Sequence, residues 1–141
     1  MKPVFLLSTL FVVVLAAGCD LPLTPRYSVE VRTDRDSYRA GDSVVVTIAN
    51  RSSHTVWWSL CNSVIEKKFA VEDWRSAEGW HCPGIPIPSK PISPNDRDVF
   101  RWRAREQAGT YRFHFWIGRD KGYQSQLPAG DRLSNEFTVS I

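Results

Sequence analysis

Methionine occurs once in the 141 residues, at position 1, and histidine three times. Without an internal methionine a blue-copper site lacks its usual axial ligand, and no CxxC or HxxxH spacing offers a zinc site. Nucleophilic catalysis is equally thin. There is no G-x-S-x-G elbow, and His54, His81 and His114 are scattered, each reading as a turn or surface residue rather than as the base of a triad. Residues 118–122 carry no phosphate-loop pattern. The adjacent acids Glu72 and Asp73 would point to opposite faces of a strand, which argues against a glycosidase pair. No stretch shows a helical stripe. The expectation is a chain that is not an enzyme and uses neither cofactor nor metal.

An excess of one charge is also missing. The chain has 18 basic and 15 acidic side chains, a formal net charge of +3, and Lys2 is the only charged residue among the first 18. So near-neutral a balance gives no electrostatic case for nucleic acid as a partner. The one local basic run is Arg101, Arg103 and Arg105, followed by Arg112. A spacing of two puts the first three on one outward strand face, where they are either simply solvated or able to meet an anion or a lipid headgroup. A hydrophobic content of 43% with 23% charged residues is that of an ordinary globular chain.

What is present is clearest at the N-terminus. Lys2 precedes an apolar run from Val4 to Ala17, and the small residues Ala16, Ala17 and Gly18 lead to Cys19. This is the anatomy of a secretory signal, too short for a comfortable membrane span. The stretch Leu15-Ala16-Ala17-Gly18-Cys19 resembles the lipobox of bacterial lipoproteins, with Ala16 where a larger apolar residue is usual. The resemblance implies a signal peptide over 1–18, cleavage before Cys19, acyl chains including palmitate on Cys19, and a lipidated tether over 19–26. An ordinary signal peptide with an incidental Cys19 is the competing reading. Asp20 resembles an inner-membrane retention signal of enteric bacteria. The expected location is the cell envelope, on a bacterial membrane and facing the periplasm or the exterior.

Setting Cys19 aside leaves Cys61 and Cys82. An even remainder in an exported chain favours a disulfide; a metal site using His81 as well is the alternative, without ligands at credible spacing.

Downstream, period-two alternation dominates. Expected strands centre on Tyr27–Val31, Val44–Ile48, Thr55–Cys61, Phe69–Val71, Phe100–Trp102, Tyr111–Ile117 and Phe137–Ile141. Asp34–Asp42 reads as a polar turn. Cys82–Pro94 holds five of the nine prolines and reads as a crossover or sheet edge. The expectation is an all-β, two-sheet sandwich of about seven strands over 27–141.

The run Tyr38-Arg39-Ala40-Gly41-Asp42-Ser43-Val44-Val45-Val46 through Asn50-Arg51-Ser52 resembles the opening of bacterial immunoglobulin-like domains. Gly109-Thr110-Tyr111 resembles the tyrosine corner of that fold. More distantly the chain is similar to the BsuPI-type proteinase-inhibitor domain. Such resemblances imply a fold and not an activity.

All six tryptophans follow Cys19. Neighbours such as Trp57 and Trp58 must face opposite ways, and if Tyr111, Phe113 and Phe115 point inward then Trp116 points outward. Trp58, Trp116 and Tyr123, with the 118–133 loop, form the candidate binding surface for a protein or glycan. The competing reading has the proline-rich segment or that loop covering the outer aromatics. The expected function is therefore a non-enzymatic envelope lipoprotein that acts as a binding module, with a BsuPI-like proteinase inhibitor as the alternative.

Overall fold

A computed structural model describes residues 26–80, 82, 88–122 and 124–141. Among them are nine strands and no α-helix: β1 (Val29–Thr33), β2 (Ser37–Arg39), β3 (Ser43–Asn50), β4 (Val56–Ala70), β5 (Asp73–Gly79), β6 (Lys90–Ile92), β7 (Arg97–Arg103), β8 (Gly109–Gly118) and β9 (Phe137–Ser140). They form a three-stranded sheet, β1-β3-β7, and a six-stranded sheet, β2-β9-β8-β4-β5, with β6 paired to β4. This is an immunoglobulin-like sandwich. Its first, second and fifth long strands make one sheet, and the third, fourth, sixth and last make the other.

Alternation explains the two layers. In β3, Val44, Val46 and Ile48 are fully buried, and from β8 Phe113 and Phe115 meet them with Phe137 of β9. Phe113 stacks on both Phe115 and Phe137, while Trp102 and Phe100 of β7 stand edge-on to Phe113. At the start of β8 the Tyr111 hydroxyl donates to the Gln107 carbonyl at 2.8 Å. That bond fixes the corner where the chain crosses from one sheet to the other.

Asn50 does similar work at the opposite end. Its buried Nδ2 donates to the carbonyls of His54, Ile92 and Ser93, and its Oδ1 accepts from the Ser52 N–H at 3.0 Å. One amide thereby ties the end of β3 to the following turn and to β6.

Two expectations need correction. Asp34–Asp42 is not all turn: Tyr38 is buried, so β2 forms there and runs parallel to β9. Phe69–Val71 is no separate strand: β4 continues from Val56 through Phe69 to Ala70, and Val71, 86% exposed, sits in the turn to β5. β4 is long because a bulge corrects its register. Between Ser59 and Val64 the pairing with β8 shifts, and Asn62 takes a left-handed conformation (φ 63°). Ser63 Oγ fills the gap in the ladder, accepting the Trp116 N–H at 2.8 Å and donating to the Ser59 carbonyl at 2.6 Å.

Candidate functional site

The bulge also positions the cysteines. Trp80, just past the end of β5, is bonded to both residues of the bulge, with Asn62 N donating to the Trp80 carbonyl and Trp80 N to that of Ser63. This brings Cys61 and Cys82 to a Cα separation of 5.5 Å, and they form a disulfide. It is not a bridge between the sheets: it joins a central strand to the end of the neighbouring edge strand. Among the described residues no cluster of His, Cys, Asp and Glu could hold a metal ion.

The expected aromatic surface does not assemble. Trp58 is only 3% exposed. It points into the core, stands edge-on to Phe115, and its indole N–H donates to Asp98 Oδ2 at 2.8 Å. The alternation rule holds for the Trp57–Trp58 pair with its sense reversed, since Trp57 is the half-buried outer residue. Trp116 does lie on the outer side of β8, yet it is 1% exposed. Its ring lies along the strand so closely that a Cβ on Gly118 would stand 2.8 Å from the Trp116 ring and 2.9 Å from the Ser125 carbonyl. The 118–133 loop folds back beside β8, with Leu127 N donating to the Ile117 carbonyl and Arg119 N to that of Ser125. Trp58 and Trp116 are thus not surface anchors. Cys19, Tyr123, His81 and the signal segment lie outside the described residues.

The basic run also divides. Arg101 and Arg103 are exposed on the outer side of β7, Arg105 lies beyond the strand's end, and Arg112 belongs to the other sheet, bonded to Glu66 at 2.6 Å. There the Arg112 guanidinium covers the Trp74 ring at 4.1 Å, and His114 Nδ1 lies 3.3 Å from the second oxygen of Glu66. His114 Nε2 is buried with no hydrogen-bond partner among the described residues. No serine, threonine or cysteine nucleophile touches this Glu–His pair in the contacts described.

One flank offers a site that sequence reading missed. On this flank the six-stranded sheet ends in β5 and the three-stranded sheet in β7. Arg105 reaches across with both arms to Glu78 of β5, Nη2 to Oε1 at 2.9 Å and Nε to Oε2 at 3.0 Å, and the Trp102 N–H also approaches Oε2 at 3.3 Å. The Arg105 pairing holds the Glu78 carboxyl below its ordinary value; burial opposes the shift, and the Trp102 bond adds to it. On one side of this bridge lies an open cleft of about 410 Å³, walled by Ile65, Ala77, Trp102, Gln107 and Tyr111. On the other lies a hollow of about 540 Å³ beside Gly41 and Arg103. The cleft's volume falls in the range of small-ligand sites. It combines an apolar floor with Glu78, Arg105, Glu106 and Gln107 as polar groups, so it can hold a ligand by hydrogen bonds and contact with ring edges. Nothing in the spacing of Glu78 and Arg105 marks them as partners; the sequence signal extends only to Arg105 as a basic residue and Trp102 as a strand aromatic.

No protein-family model and no curated protein matches the chain. Among solved structures it is similar to the alkylpurine DNA glycosylase AlkC of Pseudomonas fluorescens, with a TM-score of 0.48, 8% identity, and 82% of this chain against 30% of that one. It is similar to the CARDB domain of the PF1109 protein of Pyrococcus furiosus, with a TM-score of 0.42, 14% identity, and 82% and 93% coverage. It is also similar to the ASH/PapD-like domain of human CEP192, with a TM-score of 0.32, 16% identity, and 97% and 94% coverage. These likenesses are of strand arrangement at most and say nothing of what the chain binds.

Proposed function

We propose that the chain is a non-enzymatic interaction module of the bacterial cell envelope, held to the membrane by acyl chains on Cys19, with the flank cleft beside Glu78 and Arg105 as its binding site. The observation that carries the binding role is that cleft, an apolar floor with a charged bridge between two edge strands. The Cys61–Cys82 disulfide supports an oxidising compartment. The lipobox-like stretch ending at Cys19 supports the anchor. Non-enzymatic action is favoured because Glu66 and His114 approach each other without a nucleophile, and Glu78 is neutralised by Arg105.

Two measurements test the two halves. Metabolic labelling with an alkyne palmitate should mark the wild-type protein and not Cys19→Ser; equal labelling rejects the anchor. Capture from an envelope extract should yield a partner that Ala77→Arg loses, because Ala77 is exposed on β5 and walls the cleft. Capture that Ala77→Arg leaves unchanged rejects the cleft as the binding site.

A further inference from the structure

The two broad faces of the sandwich treat charge differently. On the outer face of the six-stranded sheet Arg112 pairs with Glu66, beside His114, and Lys68 pairs with Glu136, while Arg39 of β2 is the one outward arginine there with no carboxylate within ion-pair distance among the described residues. The outer face of the three-stranded sheet is arranged otherwise. Its register sets Glu30, Ala49 and Arg97 in one row and Arg32, Thr47 and Val99 in the next, followed by Val45 with Arg101 and Ser43 with Arg103. Glu30 is the one acid in these rows, and Arg32 and Arg51 already engage it at 3.0 and 3.2 Å. Among the described residues Arg97 and Arg101 have no carboxylate within ion-pair distance, and the Arg103 guanidinium meets only the Gly41 carbonyl at 3.3 Å. Val99 stands 41% exposed between Arg97 and Arg101.

We propose that this face is the membrane-facing surface of the domain and that Arg97, Arg101 and Arg103 bind the phosphate groups of anionic phospholipids. The inference rests on the lipid anchor proposed above. Guanidinium groups are matched to phosphate by charge and by paired donors. The chain enters the fold through β1, which belongs to this sheet. Val29 is ten positions after Cys19, a reach of at most about 35 Å. The eight residues of β3 extend about 27 Å. An acyl chain on Cys19 can therefore enter a bilayer beneath any part of the face. Once it does, the arginines need contribute only weak contacts, because the anchor keeps them at the surface. The plainer account is that charged residues guard the free edge of β7 against pairing with another strand. That account needs no preference among lipids.

The test uses residues 26–141, which contain every described strand and both disulfide cysteines, so that binding through acyl chains is removed. Co-sedimentation should show binding to vesicles of equal phosphatidylglycerol and phosphatidylcholine, little to phosphatidylcholine alone, and loss of binding at 0.5 M salt, an ionic strength of about that size screening exposed charges within a few ångströms. Arg97→Gln, Arg101→Gln and Arg103→Gln together should lower the partition on the order of 100-fold, at a few-fold for each arginine near an anionic surface. Arg39→Gln, Arg75→Gln and Lys121→Gln remove the same charge elsewhere and should lower it far less. Equal binding to both vesicle types overturns the proposal without any variant, as does equal loss in the two triple variants. Palmitate labelling of Cys19 is read separately. Label without arginine-dependent binding sinks this face and leaves the anchor standing, and the reverse result sinks the anchor alone.

Discussion

Replacing Trp116 with alanine separates a surface aromatic from a buried one more sharply than any other single change in this chain. The indole is 1% exposed and lies outside the central core cluster, with the Ser125 carbonyl of the 118–133 loop reaching the same point beside Gly118. A buried tryptophan removes about 150–250 Å² from water. At about 25 cal/mol per Å² that is roughly 4–6 kcal/mol, and measured truncations of large aromatics cost about 3–5 kcal/mol. The expected loss is therefore about 3–5 kcal/mol, a large share of the stability of a domain this size. The assay is urea unfolding followed by far-UV circular dichroism, with the disulfide kept oxidised. Gly118→Ala is the companion change. Its Cβ would stand 2.8 Å from the indole, so overpacking should cost about 1–3 kcal/mol in the wild type and clearly less once Trp116→Ala has removed the ring. The Ser125 carbonyl, 2.9 Å from the same position, keeps the remainder from falling to zero. A loss below about 1 kcal/mol for Trp116→Ala, or a Gly118→Ala cost that ignores the tryptophan, refutes the covered-ring reading.

Removing the disulfide by Cys61→Ala with Cys82→Ala should cost about 3 kcal/mol, because closing a loop with a sequence separation of 21 restricts the unfolded chain by about that amount; a melting temperature unchanged from the oxidised wild type would contradict it. Acidification should expose the Glu78 bridge. The folded carboxyl titrates below its ordinary value of 4.5, so its stabilising effect is complete above that pH and is lost as the pH falls through the depressed value. The stability gap between wild type and Glu78→Gln should accordingly be widest at neutral pH and narrow as the pH falls below 4.5; a gap that stays constant through acidification shows that the pairing with Arg105 contributes nothing.

The fold was legible where burial is one-sided. Val44, Val46 and Ile48 alternate with residues of lower burial demand, and so do Tyr111, Phe113 and Phe115, so both sheets could be read from period two. Tyr38 was missed because β2 is three residues long, and a single buried ring amid Asp34, Arg35 and Asp36 makes no period. Phe69 and Val71 misled for the opposite reason: they alternate like core residues but fall at the tip of the β4–β5 hairpin, 59% and 86% exposed. The bulge at Asn62 was invisible as well. It changes which face each later residue of β4 presents, and a reading of alternation has no means to insert an extra residue.

Trp58 and Trp116 show how far the same rule goes. Alternation says only that neighbours differ in direction, so it assigned Trp57 and Trp58 to opposite faces correctly but had no basis for choosing which was inner. That choice depends on the register with β8, where Trp58 faces Ile117 across the pair and stands edge-on to Phe115. For Trp116 the direction was right and the conclusion still failed, because facing out of a sheet is not the same as facing water. Gly118 leaves the ring room to lie flat along the strand, and the loop that follows β8 folds back to the same point, with bonds to the Ile117 and Ser125 carbonyls. Exposure thus depends on the connections as well as on the strands, and in this sandwich Trp116 is buried while the paired Glu78 and Arg105 lie open on the flank. A search for function in such a fold gains more from asking which edge strands end free than from counting tryptophans.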